Sequence, residues 1–328
     1  MRLVRKLMRT QVFTLIILLI LVYAYFTYAT GGRFLRMINI MNIMNVTVTV
    51  SLITIGATYM MIAGAQDLSQ AANGMLCAIA LASLLRGGTH WVPALILALS
   101  IGGLVGLFNA YLINNLNFQP FIATLASSQV CRGIMYIISS SRGTPSYIFV
   151  TDPAIGYLGG GRIGGSLIPF SVVLSLVLVL VYGVMLKMSK FGRKVYMVGG
   201  NRAAAMLSGI NPKKISYVLC VNSGILGALS GIILAGNLRS ATVSAMDNLR
   251  FSGIISAILG GISFGGGTGG MGGAFVGLML LNGFQNGLIV VGVGIYWQMV
   301  AQGSLLLLAL ALDYVRHQNA IKKIHVGA

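Results

Sequence analysis

This sequence predicts an all-α polytopic membrane protein, and three observations carry the prediction. Charge is scarce: only 8% of the 328 residues are Asp, Glu, Lys or Arg, while 57% are hydrophobic. A water-facing surface needs roughly a quarter of its residues charged, in both signs. Acid is nearly absent: there is no glutamate, and Asp67, Asp152, Asp247 and Asp313 stand against 22 Lys and Arg. The apolar residues also fall in runs of bilayer length, about 20 residues for a helix rising ~1.5 Å per residue. The formal net charge of +18 would raise nucleic-acid binding. The cations are scattered between apolar runs instead of gathered in a patch, which argues against that partner.

About ten transmembrane helices are expected. Clean spans lie at 12–30, 46–64, 91–114, 168–186, 215–236, 271–291 and 296–315. Three more are less regular: 71–85 is short, 120–138 contains Arg132, and 251–264 is short and broken by glycine. The first span follows a basic start and has no small-residue cleavage site after it. It reads as an uncleaved helix that begins in the cytoplasm.

The distribution of cations tests this count, because Lys and Arg favour the cytoplasmic side. Ten crossings from an inside N-terminus place 14 of the 22 basic residues on inside segments, seven outside, and every lysine inside. Both termini are then cytoplasmic. The whole of 1–328 is one membrane domain, with a long outside segment at 139–166, a cytoplasmic loop at 187–214 and a cytoplasmic tail at 316–328.

Catalytic and metal chemistry find no footing. Cys77, Cys131 and Cys220 each sit in an apolar run without CxxC or metal spacing. His90, His317 and His325 pair with no nucleophile or acid. No lysine is followed by Ser or Thr, so a Walker A loop is excluded. Gly265 to Gly270 matches GxGxxG, but no strand precedes it and no acid follows at the right distance, so it reads as a break in a membrane helix. Glycines at four-residue spacing (Gly102 and Gly106; Gly227 and Gly231; Gly269, Gly273 and Gly277) allow helices to approach closely, within this chain or at a dimer seam.

The strongest local signal is in the cytoplasmic loop. Asn201 is placed to cap a helix starting at Arg202, Ala203 to Leu207 are good helix formers, Gly209 suits a left-handed close and Pro212 forbids continuation. About two turns of helix do not stand alone in water. It is either a membrane-interface helix or a docking peg for a soluble partner.

These residues carry a resemblance. Gly199-Gly-Asn-Arg-Ala-Ala-Ala-Met-Leu-Ser-Gly-Ile210 resembles the G-x-N-x-x-A-A-x-x-S-G-I signature of the ABC-transporter permeases that import ribose and related simple sugars, a branch of the family that includes the branched-chain amino-acid permeases. Gly64-Ala-Gln-Asp-Leu-Ser69, Thr124-Leu with Arg132-Gly133, and Ile258 to Gly270 resemble three further family segments, in family order. The resemblance implies a permease with no cofactor of its own. Its partners would be an ABC ATPase subunit, an extracytoplasmic solute-binding protein and a second permease chain, identical or not, in the plasma (inner) membrane of a prokaryote, surrounded by lipid. It also implies that Gly200, Asn201, Arg202, Ala203, Ala204, Ala205, Leu207, Ser208 and Gly209 form the coupling segment against the ATPase. Departures are clear: Ala65 and Ala71 replace glycines, Ala203 stands where the signature often carries Glu, and the acidic E-L-D pattern becomes Arg250-Phe251-Ser252.

Ionisable groups at membrane depth are expensive and usually functional. Asp67 and Arg132 are the two candidates. Asp67 lies at a proposed unwinding of the helix, where it either faces the pathway, caps the helix that follows or pairs with Arg132. With Ser69, Asn222 and Asn286 they form the candidate substrate pathway, although amides in spans also serve as helix-to-helix hydrogen bonds. The leading function is a sugar-importing ABC permease. A nucleoside or branched-chain amino-acid permease is the nearest alternative, and an ion-coupled secondary transporter is a different class. No acid–base or metal set supports an enzyme.

Overall fold

The computed structural model describes residues 11–143, 146–165 and 167–326, so the first ten residues, with the cations expected inside, lie outside the described residues. The helices are α1 (Gln11–Ala29), α2 (Met37–Ile62), α3 (Gln70–Arg86), α4 (Trp91–Asn114), α5 (Pro120–Ser141), α6 (Pro153–Gly160), α7 (Phe170–Met188), α8 (Lys190–Gly200), α9 (Arg202–Leu207), α10 (Pro212–Leu238), α11 (Ser252–Leu259), α12 (Met271–Val291) and α13 (Ile295–Val326). Among the described residues, α2, α4, α5, α7, α10, α12 and the Ile295–Val315 part of α13 are long and apolar enough to cross a membrane. α1 and α3 are shorter apolar helices. The fold is an all-α polytopic membrane architecture. The segment expected as a span at 251–264 is not one helix: α11 has 8 residues, a rise of about 12 Å, and the chain then runs without helix to Gly270. The expected tail continues as helix, with α13 reaching Val326.

α10 is the axis. Its small residues receive a different neighbour on each side, at backbone-contact range. Gly102 and Gly106 of α4 face Gly224, Cys220 and Val221, Gly74 of α3 faces Gly227 and Gly231, and Gly159 of α6 faces Gly236. In lipid the hydrophobic effect gives no attraction between helices, so dispersion across such close faces and interhelical hydrogen bonds hold the bundle. The hydrogen bonds are present: fully buried Asn73 donates to the carbonyls of Gly102 (3.3 Å) and Gly224 (3.0 Å), and Ser230 donates to the Thr49 carbonyl at 2.7 Å. The glycine spacing is therefore spent inside this chain. The same device joins α11 to α12, where Gly273 and Gly277 face Gly260 and Ser256.

The loops sort to two ends. At one end β1 (Tyr147–Phe149) and β2 (Ser240–Thr242) pair antiparallel, with Ile148 opposite Ala241, and Arg142 donates to Ser83 at 2.8 Å. At the other end the turn after α2, the α8–α9 region and the glycine loop 260–270 meet: Gly267 donates to the Ile62 carbonyl at 2.8 Å and Tyr196 to the Gly269 carbonyl at 2.7 Å.

A Cβ at Gly231 would collide with the backbone of Gly74, which has no flexible end to yield. Gly231→Val is expected to lower the thermal midpoint of the detergent-solubilised chain by several degrees or abolish folding, an overpacking cost of about 1–3 kcal/mol or more. Gly272, where a Cβ meets nothing within 4 Å, provides the control: Gly272→Ala should leave the midpoint unchanged or slightly raised.

Candidate functional site

The first candidate place is the break between α2 and α3. Gly64 turns the chain at φ +82°, and residues 63–69 are not helical. Asp67 lies here, 3% exposed. Its Oδ1 accepts from the Ser69 amide (2.8 Å) and the Ser69 hydroxyl (2.6 Å), and its Oδ2 accepts from the Ser223 hydroxyl of α10 at 2.6 Å. Asn109 of α4 donates to Ser69 Oγ at 2.9 Å, and the Leu68 amide donates to Thr124 Oγ1 of α5 at 3.1 Å. Ser69 and Ser223 thus tie the start of α3 and the middle of α10 to one buried carboxylate, Asn109 adds α4 by way of Ser69, and α5 holds the neighbouring Leu68 amide. Hydrogen-bond donors on both carboxyl oxygens offset the cost of burying this polar group.

Asp67 does not pair with Arg132. That guanidinium, in the middle of α5, forms an ion pair with Asp247, from the linker between β2 and α11. The linker folds back into the bundle: Val243 and Met246 are buried, and Gln302 of α13 donates to the Asn248 carbonyl at 3.1 Å. Sequence reasoning placed Asp247 in an outer loop and missed it. The signal was there in the apolar Val243 and Met246, which a solvated loop does not need.

Asn222 and Asn286 join neither group. Asn222 accepts from the Tyr182 hydroxyl of α7 at 2.5 Å, and Asn286 accepts from Asn39 of α2 at 2.7 Å. Both work as interhelical hydrogen bonds. The five candidate pathway residues therefore fall at four places, with only Asp67 and Ser69 together.

The third place is the α8–α9 corner. Ser189 caps α8 by accepting from Gly192 N at 2.9 Å, and α8 buries Gly192, Val195 and Val198 while presenting Arg193 and Lys194. Burial pushes the Tyr196 phenol above its ordinary pKa. Gly199 and Gly200 pass so close to Ile62, Gly266 and Gly267 that a side chain on Gly199 would strike backbone. Asn201 then caps α9, accepting from Ala204 N at 2.9 Å. Gly209 closes it at φ +77°, and Asn211 caps α10, accepting from Lys214 N at 3.2 Å. Arg202, Ala203, Ala204 and Ser208 are exposed. Leu207 is 91% exposed, an unusual state for leucine, whereas Ala205 is buried and turns inward. The corner also reaches α13, because the Phe264 amide of the glycine loop donates to Asp313 at 3.0 Å. Among the described residues no three His, Cys, Asp or Glu side chains gather as a metal site.

Comparison with known proteins is consistent along the chain. The family described as "Branched-chain amino acid transport system / permease component" matches residues 39–310. The ribose import permease protein of Bacillus subtilis is 33% identical over 262 residues, covering 80% of each chain. The D-allose transport system permease protein of Escherichia coli K12 is 32% identical over 268 residues, 81% of this chain and 80% of that one. The galactose/methyl galactoside import permease protein of Haemophilus influenzae is 28% identical over 279 residues, 81% and 83%. No solved structure matches. An apolar helical bundle, a capped helix offered at one end and a family match over most of the length converge: the chain belongs to the branched-chain amino-acid transport system permease family, as a multi-pass integral membrane transport component and not an enzyme.

Proposed function

We propose that this chain is the membrane-spanning subunit of an ATP-binding-cassette importer for a simple sugar or sugar-like solute. The α8–α9 corner carries the reading. α9 is capped at its start, closed by Gly209, anchored through Ala205, and presents a bare leucine to one side. Its surroundings, 187–214, hold seven Lys and Arg and no acid. Such a helix is a handle for a soluble partner. Behind it the Gly199–Gly200 backbone is wedged between the turn after α2 and the glycine loop, so a push on α9 reaches both the Asp67 junction and α13. The sugar assignment rests on the names of the relatives.

In this reading the partners are an ATPase subunit at the α9 end, a solute-binding protein at the β-ribbon end and a second permease chain. Counting α1, α3 and the α11–glycine-loop segment with the seven long helices gives ten crossings. The lysine-rich end is cytoplasmic, both termini lie on that side, and the membrane is the plasma (inner) membrane of a prokaryote. Asp67 with Ser69 lies on or beside the solute pathway, and Arg132 lines it.

Three outcomes are expected. Leu207→Asp should abolish co-purification of the ATPase subunit while leaving the amount of permease in the membrane unchanged. Uptake in vesicles should require ATP, and accumulation driven by an ion gradient with no ATPase present would overturn the assignment. Asp67→Ala removes the acceptor of the Ser69 amide and of the Ser69 and Ser223 hydroxyls, a cost of about 1–3 kcal/mol. It should cut uptake tenfold or more, with Asp67→Asn intermediate, as read by initial-rate uptake normalised to membrane abundance.

A further inference from the structure

A polar hollow lies where the last turn of α10 meets α6, beside the ribbon. It measures about 470 Å³ and is lined by Pro153, Gly156, Tyr157 and Gly160 on one side and by Asn237 and Arg239 on the other. Its floor is shut: Gly159 lies against the backbone of Gly236 and Asn237, so the hollow does not continue into the bundle. Three polar heads surround it, and all three residues are exposed. Among the described residues, the Tyr157 hydroxyl, the Asn237 amide and the Arg239 guanidinium have no hydrogen-bond partner, and Arg239 has no ion pair. Two residue choices hold the guanidinium there. Arg239 closes α10 at φ +54°, a left-handed position that glycine fills at no steric cost. Across the hollow, Gly156 leaves the space that the guanidinium occupies, and a Cβ there would overlap it. Gly161 does the same for the Tyr157 ring, which also packs on Phe170 with ring centres 5.6 Å apart. Neither neighbouring acid answers the charge: Asp152 accepts from the Ala154 and Ile155 amides, and Asp247 pairs with Arg132.

We propose that this hollow is a docking socket for an Asp or Glu side chain of the soluble solute-binding protein. A carboxylate meets the guanidinium fork through two parallel hydrogen bonds, and the Asn237 amide and Tyr157 hydroxyl are further donors. The shut floor separates the socket from a solute pathway through the bundle. No Leu, Ile, Val or Met lines it, so an acyl chain finds no wall and a lipid is the poorer occupant. Charge agrees with an acidic partner, because Arg86 and Arg142, joined at 3.1 Å through the Arg142 carbonyl, lie at the same end. The proposal rests on the reading of this chain as an importer subunit with its ribbon end outward, and it names the contact through which the binding protein is held.

The test uses the whole transporter in intact cells, with a water-soluble carbodiimide as the probe. This reagent joins an amine to a carboxylate in contact with it as an amide, and itself takes up the water released. Every lysine lies at 6, within 187–214 or at 322–323, so Arg239→Lys puts a lone side-chain amine at the ribbon end. The expected adduct joins that position to one Asp or Glu of a soluble protein that binds the transported solute, and it is absent from wild type. Changing that acid to Arg should cut the initial uptake rate about tenfold, and Arg239→Glu should then restore most of it. Arg239→Gly, which suits the left-handed close, should leave membrane abundance and the thermal midpoint unchanged or raised while lowering uptake about tenfold. Uptake indifferent to Arg239→Gly overturns the proposal. So does the lack of an adduct, or an adduct to the permease itself, to a lipid phosphate or to a protein that does not bind the solute. The adduct and the charge swap, found together with uptake that needs no ATP, would instead sink the importer reading and leave the socket standing.

Discussion

Everything in the bundle depends on how closely helices can come to α10. Three helices, α3, α4 and α6, meet it at backbone range on different sides, and at each meeting the residue is Gly, or a small or backbone atom opposite Gly. In a bilayer this closeness replaces the hydrophobic effect as the source of cohesion. It also rigidifies, since a face without side chains has no rotamers with which to adjust. Asn73 at the centre of the α3–α4–α10 meeting satisfies two carbonyls at once, so the closest packing and the buried polar groups support one another.

Against that rigid centre stand two interruptions: the unwound turn 63–69 and the glycine loop 260–270. Residues 66–69 of the first are buried, whereas Phe264, Gly265, Thr268 and Gly269 of the second are exposed. They touch each other through Gly64, Gly266 and Gln66, whose amide donates to the Phe264 carbonyl at 3.2 Å, and they enclose the Gly199–Gly200 backbone.

Much of this was legible in the residues. Span positions followed from hydropathy and length, and Asn201, Gly209 and Pro212 bracketed α9 because caps and left-handed closes have strict residue requirements. The break at Asp67 was legible from the Gly64 interruption. What was not legible depends on contacts distant in sequence. Arg132 found Asp247, 115 residues away, instead of Asp67, because the linker after β2 dips back into the bundle and a hydropathy window does not see a buried segment this short. Glycine spacing announced close packing without saying whose helix would come close. Ala205 and Leu207 stand two residues apart in one helical turn, yet one is buried and the other bare; only the direction from which α8 arrives decides which.

The β1–β2 ribbon lies at the far end of the axis from α9. It laces the segment after α5 to the last turn of α10, and Val150 continues the lacing by donating to the Arg239 carbonyl at 2.9 Å. The ribbon end is thus stitched to the same rod whose other tip begins two residues after Gly209 closes α9, at the Asn211 cap. One uninterrupted helix of 27 residues therefore joins the corner to the ribbon, about 40 Å apart at ~1.5 Å per residue.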